Sequence, residues 1–153
     1  MRHGLDTSFL VAVEIACHPE HAAARAVAES LRRTGDRFVI TPQVVAEFLH
    51  VVTDPKRFSA PLTMEQALER AKHWWDAKDT DRVAPMDDTV TWFLTAMAIH
   101  RLGRKRVLDA LLAGTFHTAG ISSVLTLNPP DFAAFPEFSC VRLPPDTGIA
   151  AKS

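Results

Sequence analysis

Short strand-like runs alternate with longer helical runs along nearly all of the 153 residues, and this alternation constrains the fold more tightly than any other feature. RHGL (2–5), RFVIT (37–41), RVAP (82–85), SSVLTL (122–127) and CVRL (140–143) read as strands too short to be stable unless paired. The segments between them carry helix signals. A first helix is expected from about Ser8 to Ala16, and a second between Pro19 at its start and Gly35 at its stop. Pro42 opens a third, with Val44, Val45, Phe48, Leu49 and Val52 at helical spacing. Thr63 and Gln66 form a capping pattern ahead of a fourth over 63–78. The last two cover 87–103, with acids at the start and Gly103 at the end, and 106–120, ending on Gly120. A parallel pair of strands needs a crossover of about a dozen residues, usually a helix, and such crossovers cover both faces of the sheet. The expected class is therefore α/β, with a central, mainly parallel sheet between two helical layers. Functional sites in such folds gather at the carboxyl ends of the strands, where the strand order reverses.

Composition narrows the surroundings. Hydrophobic residues make up 47% of the chain, and the formal net charge is −1 with a pI of about 6.6. The chain is expected to be globular, with no overall charge drawing it to nucleic acid or membrane, so an anionic partner needs a local basic patch. Residues 1–143 are expected to form one domain, and 144–153 a flexible tail. The N-terminal apolar run is broken by Glu14 and makes a poor signal peptide, and no stretch approaches the length of a membrane span. Cys17 and Cys140 form no recognisable framework. The expected location is the cytoplasm.

Against this background three acids are out of place. Asp6 sits inside HGLDTSFLVA, just past the first strand. Glu47 falls among Val44, Phe48 and Val51 in the third helix, and is expected within its apolar stripe. Asp109 precedes Leu112, Ala113 and Phe116 on one face of the last helix. Each acid has an ordinary reading: a cap for Asp6, an arginine partner or a solvated edge for Glu47, and the positive end of a helix for Asp109. Three carboxylates brought together would repel one another unless a cation joined them. A hard divalent ion resolves that conflict, and such a site suits phosphoryl chemistry. Thr126 at the end of the fourth strand, and Asn128 and Asp131 just after it, occupy the same kind of address.

LDTSFLV, TPQVVAEFLHV, VLDALLAGT and TLNPPDF occur in the order seen in PIN-domain ribonucleases, and the chain most resembles the VapC-type toxins of bacterial toxin–antitoxin pairs over residues 2–138. The resemblance implies a PIN-like three-layer fold and an endoribonuclease dependent on Mg²⁺ or Mn²⁺. It assigns Asp6, Glu47 and Asp109 to the catalytic and metal-binding set, with Asn128 or Asp131 completing it. It implies that Thr7, Ser8 and Thr126 support the cluster. Asn128 stands where many relatives carry an acid, and Leu127 where a basic residue is common. An RNA substrate, a cognate antitoxin protein and a homodimer are further implied.

Arg104, Lys105 and Arg106 precede Asp109 and are candidate RNA contacts, although basic residues also favour helix ends. Lys56 and Arg57 could touch RNA, but read first as a solvated loop. Adjacent helical residues diverge by about 100°, so of Trp74 and Trp75 one is expected in the core and the other at a surface. His18 and His21 lack further ligands for zinc. A phosphatase using Asp6 as nucleophile would want an acid at Ser8. A receiver domain would want an acid pair near the start, and the acid doublet Asp87–Asp88 fits a helix start instead. The remaining alternative is a PIN-like binding module with a decayed site, suggested by the neutral Asn128.

Overall fold

A computed structural model of the chain describes residues 1–144, so the expected tail lies outside the described residues except for Pro144. Five strands, β1 (Arg2–Leu5), β2 (Arg37–Ile40), β3 (Thr80–Arg82), β4 (Ser123–Leu125) and β5 (Ser139–Val141), form one sheet in the order β3-β2-β1-β4-β5. Every pairing is parallel, so all the carboxyl ends emerge on one edge. Six α-helices accompany them: α1 (Thr7–Glu14), α2 (His21–Arg33), α3 (Pro42–Val52), α4 (Met64–Asp76), α5 (Asp87–Ile99) and α6 (Val107–Thr118). Helix α1 packs on α2 and α3, α3 on α4, and α5 on α6. The architecture is the expected three-layer α/β/α.

The chain steps outward from β1 through β2 to β3, then returns to the other side of β1 with β4. Strand order therefore reverses between β1 and β4, and the residues that follow those strands are Asp6 and Thr126. The inner strands β1, β2 and β4 are buried through most of their length, which accounts for their apolar character. Buried His3 is satisfied across the sheet, its Nδ1 lying 2.7 Å from the Ser123 hydroxyl in the neighbouring strand.

Glycine at position 4 allows α6 to approach β1. A Cβ there would stand 2.7 Å from the ring of Phe116, which is itself fully buried. Gly114 plays the corresponding part between α6 and α5, under Trp92. Two turns before Phe116, on the same face of α6, lies Asp109. The close seat of Phe116 on β1 therefore also sets where Asp109 stands.

Several boundaries differ from expectation. β3 comprises Thr80–Arg82 rather than 82–85, because Phe38 and Ile40 pair with Thr80 and Arg82 and the buried side chain is that of Thr80. The expected helix at 106–120 begins with a separate 3₁₀ turn, Arg104–Arg106, and the stretch after β4 contains another, Pro129–Phe132. At α5, Met86 takes the cap position; its N–H is accepted by Thr89 Oγ1 at 3.0 Å, while Asp87 and Asp88 lie in the first turn. Trp74 is buried, donating from Nε1 to Glu14 at 2.7 Å, and Trp75 lies under Arg82 at the surface.

Candidate active site

Asp6 is at the cap position of α1, with extended backbone, yet its side chain makes no capping hydrogen bond. The carboxylate turns toward β4 instead. Oδ2 accepts from Ser8 Oγ at 2.5 Å and from Thr126 Oγ1 at 2.7 Å. Each hydroxyl in turn accepts a backbone N–H from the loop after β4: Ser8 from Leu127 and Thr126 from Asn128, both at 2.9 Å. A hydroxyl that receives a donor directs its own proton elsewhere, so these four bonds fix both protons on Oδ2. Asp6 Oδ1 has no hydrogen-bond partner among the described residues, and the residue lines the adjoining cavity.

That cavity encloses about 550 Å³ at the carboxyl edge of the sheet. Asp6, Glu47, Asp109, Asn128 and Asp131 all line it, so one groove gathers acids and amide from four separate parts of the chain. Thr7 and Ser8 line it as well. Glu47 is exposed rather than embedded in the apolar face of α3. The buried arc of that helix is Val44, Phe48 and Val52, and Glu47 lies about 100° from its centre. Thr7, itself buried, donates to Glu47 Oε2 at 2.8 Å and holds that carboxylate at the rim. The hydroxyls thus divide the work: Ser8 and Thr126 anchor Asp6, and Thr7 anchors Glu47.

Asp109 is half-buried in the first turn of α6. Burial, first, and the nearby carboxylates of Asp131 and Asp6 push its carboxyl group above the ordinary range, with Arg106 opposing them. The acids therefore feel one another. Arg106 reaches both Asp131 and Asp109, at 3.5 Å from the latter, and donates to the Pro130 carbonyl at 2.9 Å. Among the described residues no three His, Cys, Asp or Glu side chains converge closely enough to hold a metal ion as they stand. The donor set nevertheless fits a hard cation. Its acids and amide offer oxygen, it leaves Asp6 Oδ1 without a hydrogen-bond partner among the described residues, and its mutual repulsion is of the kind a cation relieves. Mg²⁺ commonly binds through one or two carboxylates and keeps several waters.

A family model of the PIN domain matches residues 5–136. The chain belongs to the PIN domain family. This PIN domain is similar in structure to VapC20 of Mycobacterium tuberculosis, described as a sarcin-ricin loop cleaving toxin. Identity is 18% and the TM-score 0.67, over 93% of this chain and 99% of that one. It is equally similar to VapBC2 of Rickettsia felis, solved bound to a DNA fragment from its promoter, again at 18% identity and TM-score 0.67, over 94% and 100% of the two chains. Among curated proteins, none matches the sequence.

Three further residues of the groove were not expected there: His18 was read only as half of an unsupported zinc pair, Arg57 first as a solvated loop residue, and Phe58 not at all. His18 and His21 do not face a common ligand. His21 Nδ1 lies 2.8 Å from the Ala12 carbonyl, and His18 Nδ1 accepts the Glu20 N–H at 3.1 Å. Burial lowers the affinity of His18 for a proton, against an opposing pull from Glu20. Arg57 pairs with Asp54 at 3.6 Å in the loop after α3. Nothing local in the sequence marks these residues, because the loops that bring them to the groove have no periodicity. Arg104 and Lys105 are exposed on their 3₁₀ turn and do not line the cavity.

Proposed function

We propose that this PIN domain is a metal-dependent endoribonuclease, the toxin of a toxin–antitoxin pair, with Asp6, Glu47 and Asp109 as its working acids. The observation that carries the reading is the anchoring of Asp6. An ordinary capping carboxylate would accept the backbone N–H groups of its own helix; this one accepts two side-chain hydroxyls instead, from Ser8 in α1 and from Thr126 after β4, and lines a groove shared with other acids. Likeness to VapC20 and VapBC2 supports the choice of RNA as substrate and of an antitoxin as partner.

Asp6 and Asp109 would hold a Mg²⁺ or Mn²⁺ ion, and Asn128 and Asp131 lie within the same groove to complete its surroundings. A bound divalent ion would supply charge neutralisation and water activation for in-line attack on a phosphodiester. Ser8 and Thr126 keep Asp6 in one orientation, so little rearrangement is needed when substrate arrives. Glu47, exposed at the rim and oriented by Thr7, is placed to accept a proton from an attacking water. Arg57, which also pairs with Asp54, would bring positive charge to the groove wall for a phosphate backbone. The groove is also where an antitoxin segment would compete with RNA.

A homodimer has a natural place on α5, where Met86, Val90 and Leu94 succeed one another at one-turn spacing and are exposed. No helix among the described residues is long and apolar enough to cross a membrane. The decisive test is cleavage. Antitoxin-free protein is incubated with mixed tRNA and rRNA in Mg²⁺ or Mn²⁺, with EDTA and Asp109→Asn as controls. Metal-dependent cutting reduced by roughly 100-fold or more in the variant is expected. A chain that neither cuts RNA nor binds Mn²⁺ would instead be a decayed binding module.

A further inference from the structure

Arg106 ends the 3₁₀ turn before α6 and has a different environment from its basic neighbours. Its Nη1 is paired with Asp131 and stands 3.5 Å from Asp109 Oδ2, while Nη2 donates to the Pro130 carbonyl at 2.9 Å. One guanidinium thus ties the start of α6 to the turn after β4, using two of the acids that line the groove. Its side chain and those of both acids are each only about one-third exposed, at 35%, 34% and 31%.

We propose that Arg106 is the resident counter-ion of the acidic groove, and that a divalent cation binds there by displacing it. The inference rests on the metal-site reading given above. Asp6 is secured by hydroxyls and Glu47 by Thr7, but Asp109 and Asp131 have a cation of their own chain between them. A guanidinium stays charged at any pH the fold survives, so the conflict with an incoming cation is not relieved by loss of a proton. It is relieved by movement of a long, flexible side chain. Arg106 therefore acts as a positioning residue with two states. With metal absent it neutralises Asp109 and Asp131 and keeps the start of α6 against the turn at 129–132. With metal present it is released toward the groove mouth. The apparent metal affinity is lowered by the share of molecules in which Arg106 still occupies the acids.

Calorimetric titration of the full-length, antitoxin-free chain with Mn²⁺ tests this, comparing wild type with Arg106→Gln and Arg106→Lys. The pairing is partly solvated, so Arg106→Gln is expected to bind Mn²⁺ roughly five- to tenfold more tightly, with Arg106→Lys in between, since an ammonium keeps the charge beside the acids but has no second nitrogen to hold the Pro130 carbonyl as Nη2 does. Equal or weaker binding by Arg106→Gln, with wild type binding normally, would overturn the proposal and leave the metal site standing. Absence of Mn²⁺ binding in both would overturn the metal site and this proposal together. A second measurement needs no variant to fold: side-chain ¹⁵N NMR of the wild type during a Mg²⁺ titration. The bonded Arg106 guanidinium signal should lose its protection from exchange as the site fills. A signal that persists at saturation would contradict displacement.

Discussion

Asp109 carries the largest conflict between folding and function at the level of a single side chain. Burial and the charges of Asp131 and Asp6 raise its carboxyl pKa above the unfolded value of 3.8. A carboxyl raised in the folded state contributes stability that is fully present below the unfolded pKa and is lost as pH rises through the folded one. At neutral pH the ionised Asp109 therefore costs stability. Asp109→Asn should melt roughly 2–4 °C higher than wild type at pH 7 in the absence of metal, the gain being limited by solvent screening to about 1 kcal/mol. The gap should narrow as pH falls and the raised Asp109 carboxyl takes up its proton. A variant that melts lower at pH 7 would show that the bond to Arg106 outweighs the repulsion. The acid itself was legible in the sequence as a charge on an apolar face. The clamp on Asp6 was not, since Thr126 stands 120 positions away and only the pairing of β1 with β4 brings it near. Arg106 read as a candidate RNA contact, or a basic residue at a helix end, because its partner Asp131 lies on a turn that carries no periodicity.

At the scale of elements, the helices and inner strands were legible from their punctuation. Pro42 opens α3, Thr63 and Gln66 make the capping box of α4, and Gly35 and Gly120 adopt positive φ just beyond α2 and α6. The edge strand β3 was misplaced because a three-residue strand has too little pattern to fix its register; its pairing with β2 decides it. What the sequence hid most fully was the contact between α6 and β1. Gly4→Ala would drive a methyl group into Phe116, whose fully buried ring has nowhere to retreat. It should cost roughly 1–3 kcal/mol, read as a lower melting temperature, and should shift Asp109 with α6 so that RNA cleavage falls as well. Shortening the opposing side chain in Gly4→Ala/Phe116→Leu should recover part of the stability. Equal melting of Gly4→Ala and wild type would mean that α6 is not seated on β1 as described.

For the whole molecule, the parallel sheet brings all five carboxyl ends to one edge, and the reversal of order between β1 and β4 opens the groove beside Asp6. The fold thus collects like charges at a place it can tolerate only with a cation. Ligand binding to the native state alone should then stabilise the chain as a whole. Mn²⁺ at about 100 times its Kd is expected to raise the melting temperature by roughly 5–10 °C, and the increase should vanish with EDTA or in Asp6→Asn/Asp109→Asn. The central claim is that the groove acids form a divalent-cation site, and anomalous diffraction from crystals of the full chain soaked in Mn²⁺ tests it most directly. The account predicts an anomalous peak in the groove within ligand distance of the Asp6 and Asp109 carboxylates. A groove without a peak, in crystals where Arg106 still bridges Asp109 and Asp131 at saturating Mn²⁺, would contradict it.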